Sequence, residues 1–386
     1  MWNSRNEAFK EDTMAGKGEK GRAKGSGGSR PGLSRRDFLR ATTFVAAGAA
    51  AHGILPVFSK VDLAFGASSF SFVWISDSHL YPKSLNTRFV EKLERAVNDV
   101  TGMSPAPDFL IYGGDLAQLG DPAELDLGVE LLEPIKVKKY FIPGEHDWYL
   151  DLGKKWMDHF GKPNWSFDHK GVRIIGLDTV SHAPDYWSAT KMSPKERMGH
   201  MATLDGSVAG PWSGLGPEQR QWLSKTLSDW PKDKPVILFS HNPLYEYYPS
   251  WNFWVRDWRE VHEILKPYTS VTNIHGHTHQ VLYNELGSMR SIGMLATAWN
   301  WPYAPEGVPE LTRPMVRVDP GDPFDGVGWS KLQMGADMKV QNEYKMWRKE
   351  KDVFAGKAVD SGTGDNINQR LSPRIADRMW QYEVDR

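Results

Sequence analysis

Five short stretches of this chain place nitrogen and oxygen ligands where apolar runs stop. They are Ser-Asp-Ser-His-Leu with Asp77 and His79, Gly-Gly-Asp with Asp115, Gly-Glu-His-Asp with Glu145, His146 and Asp147, Ser-His-Asn-Pro with His241, and His-Gly-His-Thr-His with His277 and His279. Carboxylates and imidazoles in that mixture suit hard or borderline divalent cations. Cysteine is absent, which excludes thiolate metal sites, iron–sulfur clusters, disulfides and a cysteine nucleophile. Asp-x-His and His-x-His send alternate side chains to one side of an extended backbone, so the spacing predicts chelating pairs. Glycines before Asp115, Glu145 and His277 are expected to permit tight turns there. A lone Asp-x-His or His-x-His is usually an exposed turn or a surface pair; the ordered set carries the reading. His275 is expected to pack in the core, outside the ligand set.

Such residues meet only if several strands end side by side. Runs at 69–76, 108–115, 138–144, 171–179, 234–242 and 270–276 read as strands, mostly buried ones. Between them Phe89, Leu93, Ala96, Val97 and Val100 recur at helical spacing, and Asp121-Pro122 with Glu124 supplies an N-cap, a first-turn proline and a capping-box acid. Residues 216–227 and 258–266 carry the same pattern before the fifth and sixth strands. This alternation predicts a layered α/β fold. In open α/β sheets catalytic groups collect beyond the carboxyl ends of the strands, so residues scattered along the chain can share one cleft. Past residue 300 the pattern weakens, and Ser372-Pro373 opens a predicted short helix with Ile375, Met379 and Tyr382 on one side.

In this order the motifs resemble those of the calcineurin-like metallophosphoesterase superfamily: Asp-x-His, Gly-Asp, Gly-Asn-His-Asp/Glu, His and Gly-His-x-His. The resemblance implies a four-layer α/β/β/α sandwich, two mixed β-sheets flanked by helices, with two divalent metal ions (manganese, iron or zinc) at the strand ends. It implies that Asp77, His79 and His279 hold the first metal, that His241 and His277 hold the second, and that Asp115 bridges both. A bridging hydroxide between ions about 4 Å apart would attack phosphorus in line. His146 would serve the leaving-group oxygen as an acid, and Asp147 would orient His146. The chain departs from the pattern at Glu145, where the family has an asparagine ligand of the second metal. One extra negative charge is expected to favour hard cations and to weaken the attraction for phosphate dianions, which would tilt the site towards diesters. Two alternatives stay open: Glu145 as a tolerated ligand without such an effect, or Glu145 as an impairment of the second site. Gln118 stands three residues after Asp115, where purple acid phosphatases carry a tyrosine, which argues against an iron–tyrosinate site. Trp251, Trp254, Trp299 and Trp301 follow motif positions and either stack a base, sugar or aryl group or pack over a sheet edge.

The first 67 residues read differently. Of 47 Lys/Arg and 48 Asp/Glu in the chain, 11 and 6 fall there, leaving the remainder near −6, a balance that argues against a nucleic-acid binder. Residues Ser34 to Arg40, Ser-Arg-Arg-Asp-Phe-Leu-Arg, lead into an Ala/Gly-rich apolar stretch broken by His52, and together these resemble a twin-arginine export signal. The stretch falls short of the roughly 20 apolar residues of a spanning helix, so cleavage near Ala51 or Ala67 and no permanent membrane span are expected. The expected division is a signal at 1–67, a catalytic domain at 68–315 and a docked C-terminal extension at 316–386. The expected function is a periplasmic or extracellular phosphoesterase acting on a small phosphomonoester or phosphodiester, nucleotides included, that meets the twin-arginine translocase during export. The alternative is a metal-bearing but weakly active or inactive binding or assembly protein of the periplasm.

Overall fold

The apolar runs form strands because both of their faces are covered. In β1 (Phe70–Ile75) Phe72 and Trp74 enter one apolar cluster while Val73 and Ile75 enter another. Phe109 and Ile111 against Leu110 and Tyr112 in β2 (Phe109–Tyr112), and Ile237 and Phe239 against Val236 and Leu238 in β6 (Val236–Ser240), divide the same way. The shared cluster contains residues of both sheets and is the layer between them. The other two clusters lie under helices: α1 (Thr87–Thr101), α2 (Pro122–Leu132) and α3 (Lys154–Phe160) cover one sheet, and α4 (Gly216–Ser228) and α5 (Trp258–Leu265) the other. Each buried Leu, Val or Phe in these layers contributes roughly 1.5–3 kcal/mol of transfer free energy. A computed structural model describes residues 69–182, 192–196, 211–247, 252–301, 323–335 and 337–347, with the backbone of Met379–Trp380. The expected signal and Trp251 lie outside the described residues. Among the described residues no helix is long and apolar enough to cross a membrane.

Two six-stranded mixed sheets result, so the four-layer arrangement implied by the resemblance is the one observed. The remaining strands are β3 (Lys138–Phe141), β4 (Trp165–His169), β5 (Val172–Gly176), β7 (Val271–His275), β8 (Leu282–Leu286), β9 (Met289–Gly293), β10 (Val327–Met334), β11 (Val340–Trp347) and β12 (Met379–Trp380). One sheet has the order β12-β11-β10-β1-β2-β3, the other β4-β5-β6-β7-β9-β8. The central strands β1-β2-β3 and β5-β6-β7-β9 are parallel, so their carboxyl ends open on one edge of each sheet.

Of the segment expected as a docked extension, the described strands β10, β11 and β12 belong to the first sheet. β10 pairs antiparallel with β1, Phe72 opposite Leu332, and β11 pairs with β10. The indole N–H groups of Trp329 and Trp347 both donate to Asp99 Oδ2 of α1, at 2.9 and 2.8 Å. The Arg95 guanidinium lies 5.0 Å from the Trp347 ring. Of the predicted helix after Ser372, the part that is described, Met379–Trp380, is a strand beside β11.

Candidate metal centre

β1 stops at Ile75 and β7 at His275, so Asp77, His79, His277 and His279 lie beyond the strands. Their φ values are 54°, 46°, 63° and 48°, and that of Asp115, beyond β2, is 53°. The chelating pairs are therefore made by left-handed turns and not by the pleat alternation expected of extended backbone. Such a backbone costs a non-glycine residue roughly 1–2 kcal/mol. Neighbouring strand ends hold it: Asp77 N donates to Gly114 O (2.9 Å), His79 N to Asp115 O (3.0 Å) and Gln118 N to Leu80 O (2.9 Å). His277 N donates to Asp77 Oδ1 at 3.1 Å, which ties the two sheets together at the site. Gly114, at φ 102°, makes the turn expected of it, and glycine also allows close approach. A Cβ on Gly144 would stand 2.0 Å from Asp115 Oδ1, and one on Gly114 would stand 2.4 Å from His241 Nδ1.

All the predicted ligands converge and are buried. Donor atoms of Asp77, His79 and His279 lie within 4.8 Å of one another, as do those of Asp115, Glu145, His241 and His277. His279 Nε2 is 3.2 Å from Asp77 Oδ1 and 3.2 Å from His79 Nε2. Asp115 Oδ2 stands between the two sets, 3.6 Å from His79 Nε2 and 3.1 Å from His241 Nε2. Glu145 reaches His277 Nδ1 with Oε1 (3.0 Å) and His241 Nε2 with Oε2 (3.2 Å), the place of a second-set ligand.

These residues fit cations on two grounds. First, Asp77 Oδ2 is buried without a hydrogen bond, and the buried His241 Nε2 has only the carboxylate oxygens of Asp115 and Glu145 beside it, a costly arrangement for protein groups alone and a natural one for metal ligands. Second, the outer nitrogens are committed: Nδ1 of His241 to Gly113 O (2.8 Å), of His279 to Trp299 O (2.8 Å), of His146 to Gln118 O (2.7 Å) and of His79 to Gln118 Oε1 (3.0 Å). Carbonyl oxygens only accept, so each Nδ1 carries a proton and, in the neutral ring, Nε2 is the nitrogen that offers a lone pair.

From the protein groups alone, burial and the Glu145 charge hold the Asp115 carboxyl well above its usual range. Burial would also raise Glu145, but His277 and His241 outweigh it and hold that carboxyl well below its usual range. His241 is held well above the ordinary imidazole range, burial notwithstanding, by Asp115 and Glu145. Three carboxylates in one buried space thus draw positive charge, as protons or as metal ions.

Two expected roles change. Asp147 does not touch His146: its Oδ1 accepts from Ala117 N (2.9 Å) and its Oδ2 from Gly144 N (3.1 Å). Fully buried, it ties the loop of Asp115 to the loop of Glu145, and burial pushes its carboxyl up to about 6. The partner of His146 is the Gln118 carbonyl. Burial lowers the His146 imidazole to about 4, so at neutral pH the ring is neutral and Nε2 is an acceptor. His146 also lies within ligand reach of His79 and Asp115. His275 is fully buried at the end of β7, as expected. Sequence reasoning noticed Gln118 for the tyrosine it replaces and missed its contacts with two imidazoles.

The tryptophans separate by position. Trp254 is buried. Trp299 packs on the site itself, its ring 4.2 Å from His79 and 4.9 Å from His279. Trp301 is 38% exposed and faces Phe253, whose ring lies 4.7 Å from His277.

Residues 70–281, more than half of the chain, match the family model for calcineurin-like phosphoesterases. The chain belongs to the calcineurin-like phosphoesterase family. It is 27% identical over 180 residues to a probable glycerophosphodiester phosphodiesterase GpdQ of Arcobacter nitrofigilis, covering 44% of this chain and 56% of that one. The chain thus spans little more than half the length of that relative. It is 22% identical over 287 residues to a 3′,5′-cyclic adenosine monophosphate phosphodiesterase CpdA of Haemophilus influenzae, covering 70% of this chain and 88% of the relative. A dimetal phosphatase from Danio rerio has the same fold, with a TM-score of 0.50 and 15% identity over 69% of this chain and 93% of its own. Among calcineurin-like phosphoesterases, then, this chain builds a two-metal site in which a glutamate joins the second set of donors.

Proposed function

We propose that this calcineurin-like phosphoesterase hydrolyses small phosphoesters, diesters ahead of monoesters, on the outer side of the cytoplasmic membrane. The observation that carries the catalytic reading is Asp115 Oδ2 placed between His79 and His241, with a complete donor set on each side. Asp77, His79 and His279 would hold one ion, Glu145, His241 and His277 the other, and Asp115 both. When bound, two divalent ions supply the Lewis acidity that activates water and stabilises the phosphoryl oxygens. His146, anchored through Nδ1, presents Nε2 as its free nitrogen. An anionic phosphoester beside it favours the imidazolium, which can then pass its proton to the leaving oxygen as the P–O bond breaks. The diester preference is supported by Glu145 and by relatives that are named phosphodiesterases. Export is supported by Ser34 to Arg40.

Elemental analysis of the purified chain, followed by a panel of mono-, di- and cyclic phosphoesters, tests the catalytic reading. Two ions per chain with diester turnover is expected, and Asp115→Asn should lose metal and activity together. Full activity in that variant would overturn the site assignment. Metal without turnover across the panel would leave a binding protein in place of an enzyme.

A further inference from the structure

We infer that Gln118 is a positioning residue that fixes two imidazoles of the site at once, His79 through its side-chain oxygen and His146 through its main-chain carbonyl. The inference rests on the metal-site half of the proposed function and needs none of its substrate. Gln118 is itself held in place from both sides. Its N–H donates to Leu80 O, one residue past His79, where segments 77–80 and 115–118 run alongside as a continuation of the β1–β2 pairing. On the other side the N–H groups of Leu119 and Asp121 donate to Glu124 Oε2 at 2.8 and 3.3 Å. Between these anchors the side chain turns back to His79 Nδ1 (3.0 Å) and the carbonyl turns to His146 Nδ1 (2.7 Å).

The two contacts have different chemistry. A main-chain carbonyl can only accept, so the His146 tautomer is secured whatever side chain stands at 118. An amide offers either oxygen or nitrogen. Only the oxygen leaves His79 Nε2 with its lone pair, facing His279 Nε2 at 3.2 Å and Asp115 Oδ2 at 3.6 Å. With the amide reversed, or with no acceptor at 118, His79 is free to carry its proton on Nε2, where it excludes a metal. The His79 ring is already confined by His146 at 4.5 Å and Trp299 at 4.2 Å, so Gln118 selects the tautomer more than the ring's location. Outer hydrogen-bond partners of this kind are worth about 10–100-fold in metal affinity.

The experiment titrates the metal-stripped full chain with Mn²⁺ alone, following free ion by electron paramagnetic resonance, in wild type, Gln118→Met and Gln118→Glu. Gln118→Met keeps the length and loses the acceptor; one of the two sites should weaken about 10–100-fold. Gln118→Glu cannot donate when ionised and should bind as wild type or tighter. Histidine ring ¹⁵N shifts of the stripped protein should show His79 moving towards the Nε2–H tautomer in Gln118→Met while His146 stays Nδ1–H. Wild-type affinity at both sites in Gln118→Met overturns the inference, and so does equal loss in Gln118→Glu. Should Gln118→Met fail to fold, Gln118→Glu decides alone, since retained affinity supports an acceptor at 118 and a tenfold loss refutes it. Two ions bound by wild type with no phosphoester turnover would end the catalytic proposal and leave this one standing.

Discussion

At the residue scale the site is defined by where charge is confined. Asp77, Asp115 and Glu145 are all buried, and Glu145 touches both His241 and His277, so its negative charge would act directly on an ion held by that second set. An uncharged amide at 145 would leave the cluster one unit more positive. A phosphomonoester dianion gains more from that unit than a diester monoanion does. Glu145→Asn is therefore expected to raise monoester turnover relative to diester turnover by about tenfold, the equivalent of roughly 1.4 kcal/mol. Paired aryl mono- and diester substrates measure the ratio; an unchanged ratio would assign Glu145 to metal retention alone. The types of these residues were readable from the motif order. Their burial was not, because an Asp-x-His in isolation reads as surface, and the contacts that bury it come from His277 and His279, about 200 positions away.

At the element scale α2 shows how local signals hold the site indirectly. Asp121 and Glu124 form the expected capping box, with Ala123 N on Asp121 and Asp121 N on Glu124. Glu124 also receives Leu119 N, which makes it the clamp on the segment that carries Gln118. Burial raises its carboxyl from 4.5 to about 7, despite those two N–H donors. A raised acid means the fold favours the protonated form, so this contribution to stability is complete below pH 4.5 and is lost as pH rises through about 7. Glu124→Gln keeps an acceptor and does not titrate. Its melting temperature should fall less than that of wild type between pH 4.5 and 8, by the equivalent of about 1–2 kcal/mol after allowance for solvent screening. Parallel pH profiles for the two proteins would count against the raised acid at Glu124. The strands β1, β2, β3, β5, β6 and β7 and the capped helices were legible because short apolar runs and cap chemistry are local. The strands β4, β8, β9, β10 and β11 were not, since their partially polar sequences, such as Val-Gly-Trp-Ser-Lys-Leu-Gln-Met in β10, become strands through the neighbours they pair with.

For the whole molecule, the proposed export and the fold make separate demands. If Arg35 and Arg36 direct the chain to the twin-arginine route, replacing both with lysine should leave the protein in the cytoplasm, folded and metal-loaded; cell fractionation decides, and unaltered export would remove that half of the proposal. The folded domain includes β10 and β11, which extend the first sheet from β1 and are tied to α1 through Asp99. A boundary at 315, natural from composition, would strip β1 of that neighbour. The sequence alone determined which donor groups are available to a site, the order in which they occur and the strands that end beside them, because residue type and local periodicity are written in the chain. Only the tertiary structure decided that five of those residues sit in left-handed backbone, that Asp147 joins two loops and leaves His146 to the Gln118 carbonyl, and that the C-terminal strands belong to the core. Each of these depends on a hydrogen bond or a strand pairing between distant segments, and no local preference encodes such a contact.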